Sequence, residues 1–470
     1  MASEIRVNKI INRSGLSTVT FSDTGAIVSG IVTANSFSGN VTGAVTGSGA
    51  NLTSIPAGQL TGTVADARLT SVTASKLSGA LPALDGSALT GVGIGTDGSV
   101  NTSGIITATT LNYTGNQNLS RRNILINGAM TVAQRGTSST TNGFGSVDRY
   151  YVGNSGVDEA PTHAQADISA GTTPYTLGFR KSLKITNGNQ TSGAGAADYI
   201  FINMAQEAQN IANSGWNYKS SSSFITLSFW IKSSVAQNFF FQFDVRDGTR
   251  QNYAMETGSL TADTWTKITK VIPGNSNLTI DNNTGVGAYV TFGVFWGTDY
   301  TASMSLETWG AASDASKTPD NPTTWYTTND STFEVTGVQL EVGSVATPFE
   351  HRSYDEELSL CHRYYQKITG GGNCQGIVSS GGEAVRMGFP LLKPMRANPS
   401  VVVTGTLKCY DSSNTRNYNA VSSVFVNSNI AFDFDTNSGN ATGGSQMTHG
   451  RACVLYSNSG TGGFECSAEL

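Results

Sequence analysis

Three aromatic side chains in one long polar segment are the residues of this sequence best suited to hold a ligand. Trp309, Trp325 and Tyr326 lie within 297–331, a segment rich in Thr, Ser, Asp, Asn and Pro. Exposed indole and phenol rings stack on the apolar C–H faces of sugars, and loops of this length are usually functional or disordered. We therefore predict that these three side chains contact a glycan. The alternative is that they cover a sheet edge or contact another subunit.

Catalytic chemistry has weaker support in the sequence. Glycoside cleavage needs two carboxyl groups that face each other across a cleft. Glu334 lies in the strand-like run 332–340, and Asp244 ends another such run. Alternation places Glu334 on the same strand face as Val338 and Leu340, so it could point towards a core, although a salt bridge is the commoner explanation. These positions form no catalytic constellation, and we predict no catalytic residue and no enzymatic activity.

Two other patterns have ordinary structural explanations. Residues 93–98 (GIGTDG) match the spacing of a phosphate-binding loop, but they lie in a Gly/Thr-rich repeat that no strong helix follows. His351, Cys361, His362 and Cys374 are close in sequence but lack the paired spacing of a zinc site. We name no metal site and predict no cofactor.

Composition excludes two broad classes of partner. Only 13% of the residues are charged and the formal net charge is −5, so we expect no nucleic-acid surface. There is no polybasic tract for a membrane surface and no apolar run of about eighteen residues that could cross one. The start lacks the apolar core of a signal peptide, and the irregular spacing of the cysteines predicts free thiols made in a reducing cytoplasm. The five cysteines are Cys361, Cys374, Cys409, Cys453 and Cys466.

The elements that must position these residues change along the chain. Residues 1–120 contain no Trp and few aromatic residues of any kind, too few large apolar side chains for a compact globule. They do contain a repeat, because SDTGAIVSGIVTA at 22–34 matches TDGSVNTSGIITA at 96–108. Short β units that cannot bury a face alone must stack on neighbours or on other chains. We predict a thin shaft over 21–120 in which several chains intertwine; a disordered linker is the alternative.

Residues 121–350 have the pattern of a β-sandwich. All six Trp residues fall inside this range. Alternation typical of strands appears at 224–232 (FITLSFWIK) and at 288–296 (AYVTFGVFW), and turns rich in Gly, Asn, Asp and Ser separate such runs. We place Trp230 and Trp265 in the core, whereas Trp296 could lie in the core or outside it.

One helix is predicted, over 351–369. Ser353 with Glu356 three residues later forms a capping box. A single apolar stripe follows, which either docks on the sandwich of its own chain or forms a seam around a threefold axis. The stripe consists of Tyr354, Leu358, Cys361 and Tyr365. Residues 370–470 then alternate like strands and predict a small β tip domain.

Several segments resemble one class of proteins. The run TGVQLEVGSVATPFEHRSYDEELSLC at 336–361, followed by RYY, resembles bacteriophage tail fibres and receptor-binding proteins of the type found in marine cyanobacterial phages. The SGIVTA and SGIITA repeats and NILINGAMTVAQRGTS at 123–138 are similar to segments of the same class. TLSFWIKSS at 226–234 and LTADTWTKITKVIPG at 260–274 resemble strands of jelly-roll carbohydrate-binding modules.

This resemblance implies an elongated homotrimeric fibre with a mostly β fold. It would have a virion-docking segment (1–20), a repetitive shaft (21–120), a jelly-roll-like β-sandwich (121–350), one short helix (351–369) and a β tip domain (370–470). Such a fibre is made in the host cytoplasm, sits on the virion tail or baseplate through its N-terminus, and binds polysaccharide or lipopolysaccharide on the host cell.

Docking to the virion would involve the apolar residues of the first segment, Ile5, Val7 and Ile10. Two alternatives to host attachment stay open from the sequence. The first is a tailspike that depolymerises capsule or other polysaccharide. The second is a purely structural baseplate or connector fibre.

Overall fold

A computed structural model describes most of the chain from residue 121 onward. The described residues are 121–369, 374–426, 428–436, 438–457 and 462–470, together with 9–11, 17–23, 25–28, 31, 32, 38 and 42 near the N-terminus. The chain divides into two units, one within Met1–Ile106 and one within Thr107–Leu470. Most of the predicted shaft and the predicted docking residues Ile5 and Val7 lie outside the described residues, as does the motif at 93–98.

The described part of the first unit is a small antiparallel sheet. Its strands are β1 (Lys9–Ile11), β2 (Ser17–Ser22) and β3 (Gly25–Val28), in the order β1-β2-β3. Ile10, the third predicted docking residue, pairs with Val19 in this sheet. Ile27 and Ile31 of the first repeat are 61% and 95% exposed. The docking and shaft predictions are not tested by these contacts.

Twelve strands of the second unit form two antiparallel sheets of six strands each. In chain order they are β4 (Ser138–Ser139), β5 (Tyr151–Ser155), β6 (Thr162–Asp167), β7 (Lys181–Thr186), β8 (Tyr199–Glu207), β9 (Phe224–Ser233), β10 (Phe240–Val245), β11 (Gln251–Glu256), β12 (Thr266–Pro273), β13 (Val286–Trp296), β14 (Trp309–Ala311) and β15 (Thr332–Val342). Sheet I has the order β14-β11-β10-β13-β8-β5, and sheet II has the order β12-β9-β15-β7-β6-β4. The predicted β-sandwich is confirmed.

Large apolar side chains from the two sheets meet between them. Phe229 of sheet II contacts Phe241 and Phe292 of sheet I, each at a centroid distance of 4.9 Å and nearly perpendicular. This edge-to-face arrangement is the one that aromatic quadrupoles favour. Because side chains alternate along a strand, burying one set of residues leaves the other set on the outer face of each sheet.

The helices are short. The described residues contain α1 (Thr173–Thr176), α2 (Ala208–Ala212), α3 (Thr324–Thr327), α4 (Tyr354–Cys361) and the 3-10 turns Thr298–Tyr300, Ser380–Gly382 and Ser438–Asn440. In this part of the chain none of the helices is long and apolar enough to cross a membrane.

Helix α4 begins as predicted but ends early. The hydroxyl of Ser353 accepts a hydrogen bond from the Glu356 N–H at 3.2 Å, which confirms the N-cap. The predicted extension to residue 369 is wrong. The chain leaves the helix after Cys361, and Tyr365–Thr369 becomes a strand whose backbone pairs with the C-terminal segment. Those residues include Tyr365, Ile368 and Thr369, types that favour strands.

The apolar stripe of this helix docks on its own chain. Cys361 is 0% exposed and packs with Ile126, Val132 and Tyr364, with Leu358 partly buried beside them. Tyr365 is 2% exposed and belongs to a strand, whereas Tyr354 is 56% exposed. The predicted trimer seam is therefore wrong for Cys361 and Tyr365, because contacts within the chain already bury both side chains.

The C-terminal residues fold as a second β domain, which we call the C-terminal domain. Its strands are β16 (Tyr365–Thr369), β17 (Cys374–Val378), β18 (Val385–Pro390), β19 (Ser400–Thr404), β20 (Leu407–Tyr410), β21 (Thr415–Tyr418), β22 (Ser423–Phe425), β23 (Ala431–Asp435), β24 (Ala441–Gly444), β25 (Ala452–Ser457) and β26 (Gly463–Ser467). Three strands form a sheet in the order β16-β26-β19, and eight form another in the order β22-β23-β18-β17-β25-β20-β21-β24. All five cysteines of the chain are buried as free thiols.

Buried ion pairs join the C-terminal domain to the sandwich. Glu207, at the end of β8, is 0% exposed and accepts two hydrogen bonds from the Arg363 guanidinium and one from the Tyr364 hydroxyl. Arg149, which is 1% exposed, pairs with Glu469 and lies over the Tyr364 ring. The sandwich therefore contacts the segment after α4 and the last residues of the chain through ion pairs. In each pair, removing one charge would leave the other buried and destabilising.

Candidate functional site

A cleft with a volume of about 320 Å³ lies on the outer face of sheet I. Strand alternation creates its floor. In β8 the side chains of Ile200 and Ile202 enter the core, whereas Tyr199, Phe201 and Asn203 line the cleft. We call it the aromatic cleft after the rings that line it, which are Tyr199, Phe201, Tyr289, Trp296 and Tyr300.

Two glycines leave room for these rings to lie close to the sheet. A Cβ atom at Gly293 would come within 2.2 Å of the Trp296 indole nitrogen, and one at Gly153 within 2.6 Å of the Phe201 ring. The Trp296 and Phe201 rings stack, with their centroids 5.3 Å apart and their planes inclined by 15°. Tyr199 extends this surface, with its ring centroid 5.6 Å from that of Trp296. The result is a continuous aromatic floor.

The segment between β13 and α3 forms one wall of the cleft. The backbone N–H of Lys317 donates to the Tyr300 carbonyl at 2.8 Å, and the Asn252 side chain donates to the Lys317 carbonyl at 2.9 Å. These contacts place the side chains of Tyr300, Asp314 and Lys317 at the cleft. The long polar segment therefore does contribute to a concave site, through residues other than the aromatic three predicted from the sequence.

Polar groups stand beside the aromatic floor. Gln242 and Thr291 pair across β10 and β13, and Asp244, two residues along β10, is 2% exposed. Its Oδ2 accepts hydrogen bonds from Arg246 Nη1 at 3.0 Å and from Arg250 Nη2 at 2.7 Å. Among the described residues, neither Asp244 Oδ1 nor Gln242 Oε1 has a hydrogen-bond partner. Buried acceptors without a donor are costly, and these two oxygens are buried beneath the polar side of the cleft.

Ion pairs and burial shift several pKa values at the wall. The hydrogen bond from Lys317, at 2.6 Å, and the lysine charge lower the pKa of Asp314. Burial acts to lower the pKa of Arg250, but its hydrogen bond to Asp244 and the charge of that carboxylate outweigh burial and raise it. Burial also raises the pKa of Tyr300. At neutral pH Asp314 and Arg250 are charged, and Tyr300 is a neutral hydroxyl able to hydrogen-bond.

The structure places Trp325 and Tyr326 in the core, so the predicted glycan contact is wrong for both. They are 0% and 1% exposed on the short helix α3. The Trp325 indole donates to the Thr332 carbonyl at 2.9 Å, and the Tyr326 hydroxyl donates to Asp198 at 2.9 Å. Burial together with this bond raises the pKa of Tyr326. Both side chains belong to the hydrophobic core of the sandwich.

Trp309 closes an edge between the two sheets. It begins β14, the edge strand of sheet I, and its ring packs against Phe243 and Tyr253. Its indole nitrogen donates to the carbonyl of Pro273, in the edge strand β12 of sheet II, at 2.7 Å. Trp309 thus spans the two sheet edges and does not line the aromatic cleft. Its role as a glycan contact stays a prediction.

The remaining candidates from the sequence are also located. Trp230 and Trp265 are half-buried outside the core, which corrects their predicted placement. Glu334 is 6% exposed and forms an ion pair with Lys232 at 2.8 Å, the commoner explanation considered above. Trp296 is buried, with 5% of its surface exposed, and it lines the aromatic cleft. The signal that could have located the cleft was the aromatic and polar half of the β8 alternation, Tyr199, Phe201 and Asn203, which is as regular as its apolar half.

A larger cavity of about 750 Å³ lies where the sandwich meets α4 and the C-terminal domain. Charged and amide side chains dominate its lining, among them Arg122, Arg352, Glu356 and Lys393. No aromatic ring lines it among the residues the structure describes, so it offers no stacking surface for a sugar. The same described ranges contain no group of three or more His, Cys, Asp or Glu side chains suited to a metal ion.

Several solved structures show weak likeness to this chain. The enzymatically active domain of tailspike protein 4 from bacteriophage CBA120 matches 47% of the chain at 10% identity and a TM-score of 0.26. The family 11 carbohydrate-binding module of a cellulosomal cellulase from Clostridium thermocellum matches 46% at 14% identity and a TM-score of 0.22. The N-terminal cellulose-binding domain of a β-1,4-glucanase from Cellulomonas fimi matches 46% at 10% identity and a TM-score of 0.23.

The match spans 21% of the tailspike chain but 98% and 99% of the two binding modules. No protein-family model matches the sequence, and no curated protein matches it. Such low identities and TM-scores transfer neither a ligand nor an activity to this chain.

Proposed function

We propose that this chain is a bacteriophage tail fibre that attaches the virion to its host and that the aromatic cleft binds a cell-surface glycan. The observation that carries the proposal is the cleft itself, where stacked aromatic rings lie beside polar and charged side chains. A pyranose presents an apolar C–H face and hydroxyl groups on the same ring, so it fits an aromatic floor that has polar side chains beside it.

The assignment to a phage fibre is supported by the sequence. The run at 336–361 and the repeat at 22–34 carry the resemblance to tail fibres. The exposed Ile27 and Ile31 of that repeat are side chains that a neighbouring chain could cover. We propose a homotrimer whose N-terminus is fixed to the tail or baseplate of the virion. Its host receptor would be a polysaccharide or lipopolysaccharide.

We propose binding without catalysis. Both carboxylates of the cleft are engaged in ion pairs, Asp244 with two guanidinium groups and Asp314 with Lys317 and Arg250. A general acid would need a raised pKa, and the pKa of Asp314 is lowered. Weak contacts at each site add up when several copies engage a repeated glycan together. Release of oligosaccharides from host polysaccharide by the full chain would instead favour a depolymerase.

The proposal is tested by the binding of the fluorescently labelled full chain to host cells. Periodate oxidation of the cell-surface glycans should abolish binding, and Phe201→Ala should weaken it because the stacked floor loses a ring. Tyr410→Ala, which removes an exposed ring from the C-terminal domain, is the matched control and should bind normally. Undiminished binding to oxidised cells would contradict a glycan receptor. Equal binding by Phe201→Ala would contradict the role of the cleft.

A further inference from the structure

The aromatic cleft differs in charge from the chain that carries it. Three cationic side chains line it, Arg246, Arg250 and Lys317, against the two carboxylates Asp244 and Asp314. Three positive and two negative charges give the described lining a formal charge of +1, whereas the whole chain has a formal charge of −5. Charges in a concave site with low-dielectric walls act more strongly on a ligand than charges spread over a convex surface.

The two carboxylates are not equally able to oppose an anion. The Asp244 side chain is 3% exposed and both of its cationic partners bond to the same oxygen, Oδ2. The Asp314 side chain is 72% exposed on the wall, where water screens its charge. Two guanidinium groups therefore more than neutralise Asp244, and Lys317 together with water offsets Asp314, so the cleft keeps an excess of one positive charge.

Arg246 has hydrogen-bonding capacity to spare. In the described residues its guanidinium makes one side-chain hydrogen bond, from Nη1 to Asp244, and it lies 5.0 Å from the centroid of the Tyr289 ring. Its side chain is 32% exposed. A guanidinium carries five N–H donors in a planar fork that fits two oxygens of a carboxylate or sulfate. Arg246 can therefore hold Asp244 and an anionic ligand at the same time.

We infer that the aromatic cleft selects an acidic polysaccharide over a neutral one. The sugar ring packs on the aromatic floor, and its carboxylate or sulfate group is bound by Arg246 together with the neighbouring Arg250. This inference rests on the proposed function, because it specifies the class of glycan that the cleft takes. Carboxylate and sulfate share the chemistry that the guanidinium groups recognise, namely two oxygens that share a negative charge.

The test is an array of immobilised polysaccharides with neutral, uronate-containing and sulfated members, probed with the full chain. We expect acidic members to bind at least ten-fold more tightly than neutral ones, and the binding to fall as salt is added. The uronate and sulfate groups of the array show which anion the cleft prefers. Arg246→Gln should reduce binding to acidic members about ten-fold, the effect of losing one charge-assisted contact. Arg180→Gln removes the same charge at an exposed site outside the cleft and should leave binding unchanged.

Each outcome of the array has a distinct meaning. Equal binding to neutral and acidic members by the wild-type chain would overturn the inference while leaving the proposed function intact. Absence of binding to every member would overturn the proposed function. Arg250→Gln removes the second guanidinium group of the proposed anion site and decides between the outcomes if Arg246→Gln does not fold. Unchanged binding to acidic members by a folded variant of either kind would also overturn the inference.

Discussion

Replacing Arg363 with Met should destabilise the protein because it leaves the Glu207 carboxylate buried without its cation. Glu207 is 0% exposed. Arg363 donates to its two oxygens from Nε at 2.6 Å and from Nη2 at 2.7 Å. Two donors remain after the substitution, the Tyr364 hydroxyl at 2.6 Å and the Gln209 amide at 2.7 Å. Methionine keeps most of the length of the arginine stem, so the change isolates the loss of charge.

The expected loss of unfolding free energy depends on how deeply Glu207 and Arg363 are buried. Breaking a fully buried ion pair by removing one partner costs about 3–5 kcal/mol. The Arg363 side chain is 31% exposed, so solvent already weakens part of its attraction to Glu207. Two hydrogen bonds also remain on the carboxylate. We therefore expect the free energy of unfolding to fall by about 2–3 kcal/mol at pH 7.

The loss of stability in the Arg363→Met variant should depend on pH. Burial acts to raise the pKa of Glu207, but the hydrogen bonds from Arg363 and Tyr364 and the arginine charge outweigh it and lower the pKa. In the wild-type protein this pair therefore stabilises the fold above the unfolded pKa of about 4.3, and the stabilisation is lost as pH falls through the lower folded value. Without Arg363, burial should raise the pKa of Glu207, so its protonation relieves the penalty as pH falls. The difference between variant and wild type should shrink from pH 7 to pH 4.

Urea unfolding of the full chain measures this difference. Far-UV circular dichroism follows all of the β structure, and tryptophan fluorescence follows the sandwich, where all six Trp residues lie. The matched control is Arg386→Met. Arg386 binds Asp435 through the same two-pronged geometry, at 2.7 and 2.6 Å, but its side chain is 63% exposed. The control should lose far less stability. An equal loss in both variants, or a loss for Arg363→Met that does not change with pH, would refute the reasoning.

Gly293→Ala should weaken glycan binding without unfolding the sandwich, because the new methyl group would displace the Trp296 indole that lies within 2.2 Å of that position. Isothermal titration against a glycan that the wild type binds measures the change in affinity. Unchanged affinity would contradict the flat aromatic floor. Glu469→Gln should lower the free energy of unfolding by about 3 kcal/mol, because Arg149 is 1% exposed and loses its carboxylate partner. If the variant unfolds at the same urea concentration as the wild type, the Arg149–Glu469 pair does not hold the sandwich to the C-terminal residues. Asp411→Asn should make the stability of the C-terminal domain depend less on pH in acid. Burial acts to raise the pKa of Asp411, but the N–H groups of Thr448, Asn414 and Ser413 and the charge of Arg451 lower it to about 2. Its stabilisation is therefore present above the unfolded carboxyl pKa and lost as pH falls towards 2. Melting temperatures from pH 5 to pH 2 should fall more steeply for the wild type, and parallel curves would contradict the prediction.

The sandwich could be predicted because strand alternation is a local property of the sequence. FITLSFWIK became part of β9 and AYVTFGVFW part of β13, since each run supplies its own apolar face. The start of α4 was equally local, because a cap depends on residues three apart. The end of α4 was not predictable in this way. It depends on β26, about a hundred residues later, which pairs with Tyr365–Thr369.

The site was harder to predict because a cleft is assembled from distant residues. Trp325 and Tyr326 stand in a polar segment, but a single helical turn carries both into the core. The aromatic floor combines β8, β13 and the segment after β13, and it requires Gly293 to make room for Trp296. These residues are too far apart in the sequence for any short segment to show that they lie together. The aromatic half of the β8 alternation was visible, but only the sheet order shows that its rings meet Trp296.

Competition for host cells tests the central claim most directly. The purified full chain is mixed with the parent phage, and adsorption is measured as the chain concentration rises. We predict dose-dependent blocking by the wild type and by Tyr410→Ala, which removes an exposed ring from the C-terminal domain. Tyr199→Ala, which removes a ring from the aromatic cleft, should need about ten-fold more protein, as expected for the loss of one stacking contact. Absence of blocking by the folded wild type, or equal blocking by Tyr199→Ala, would contradict attachment through the aromatic cleft.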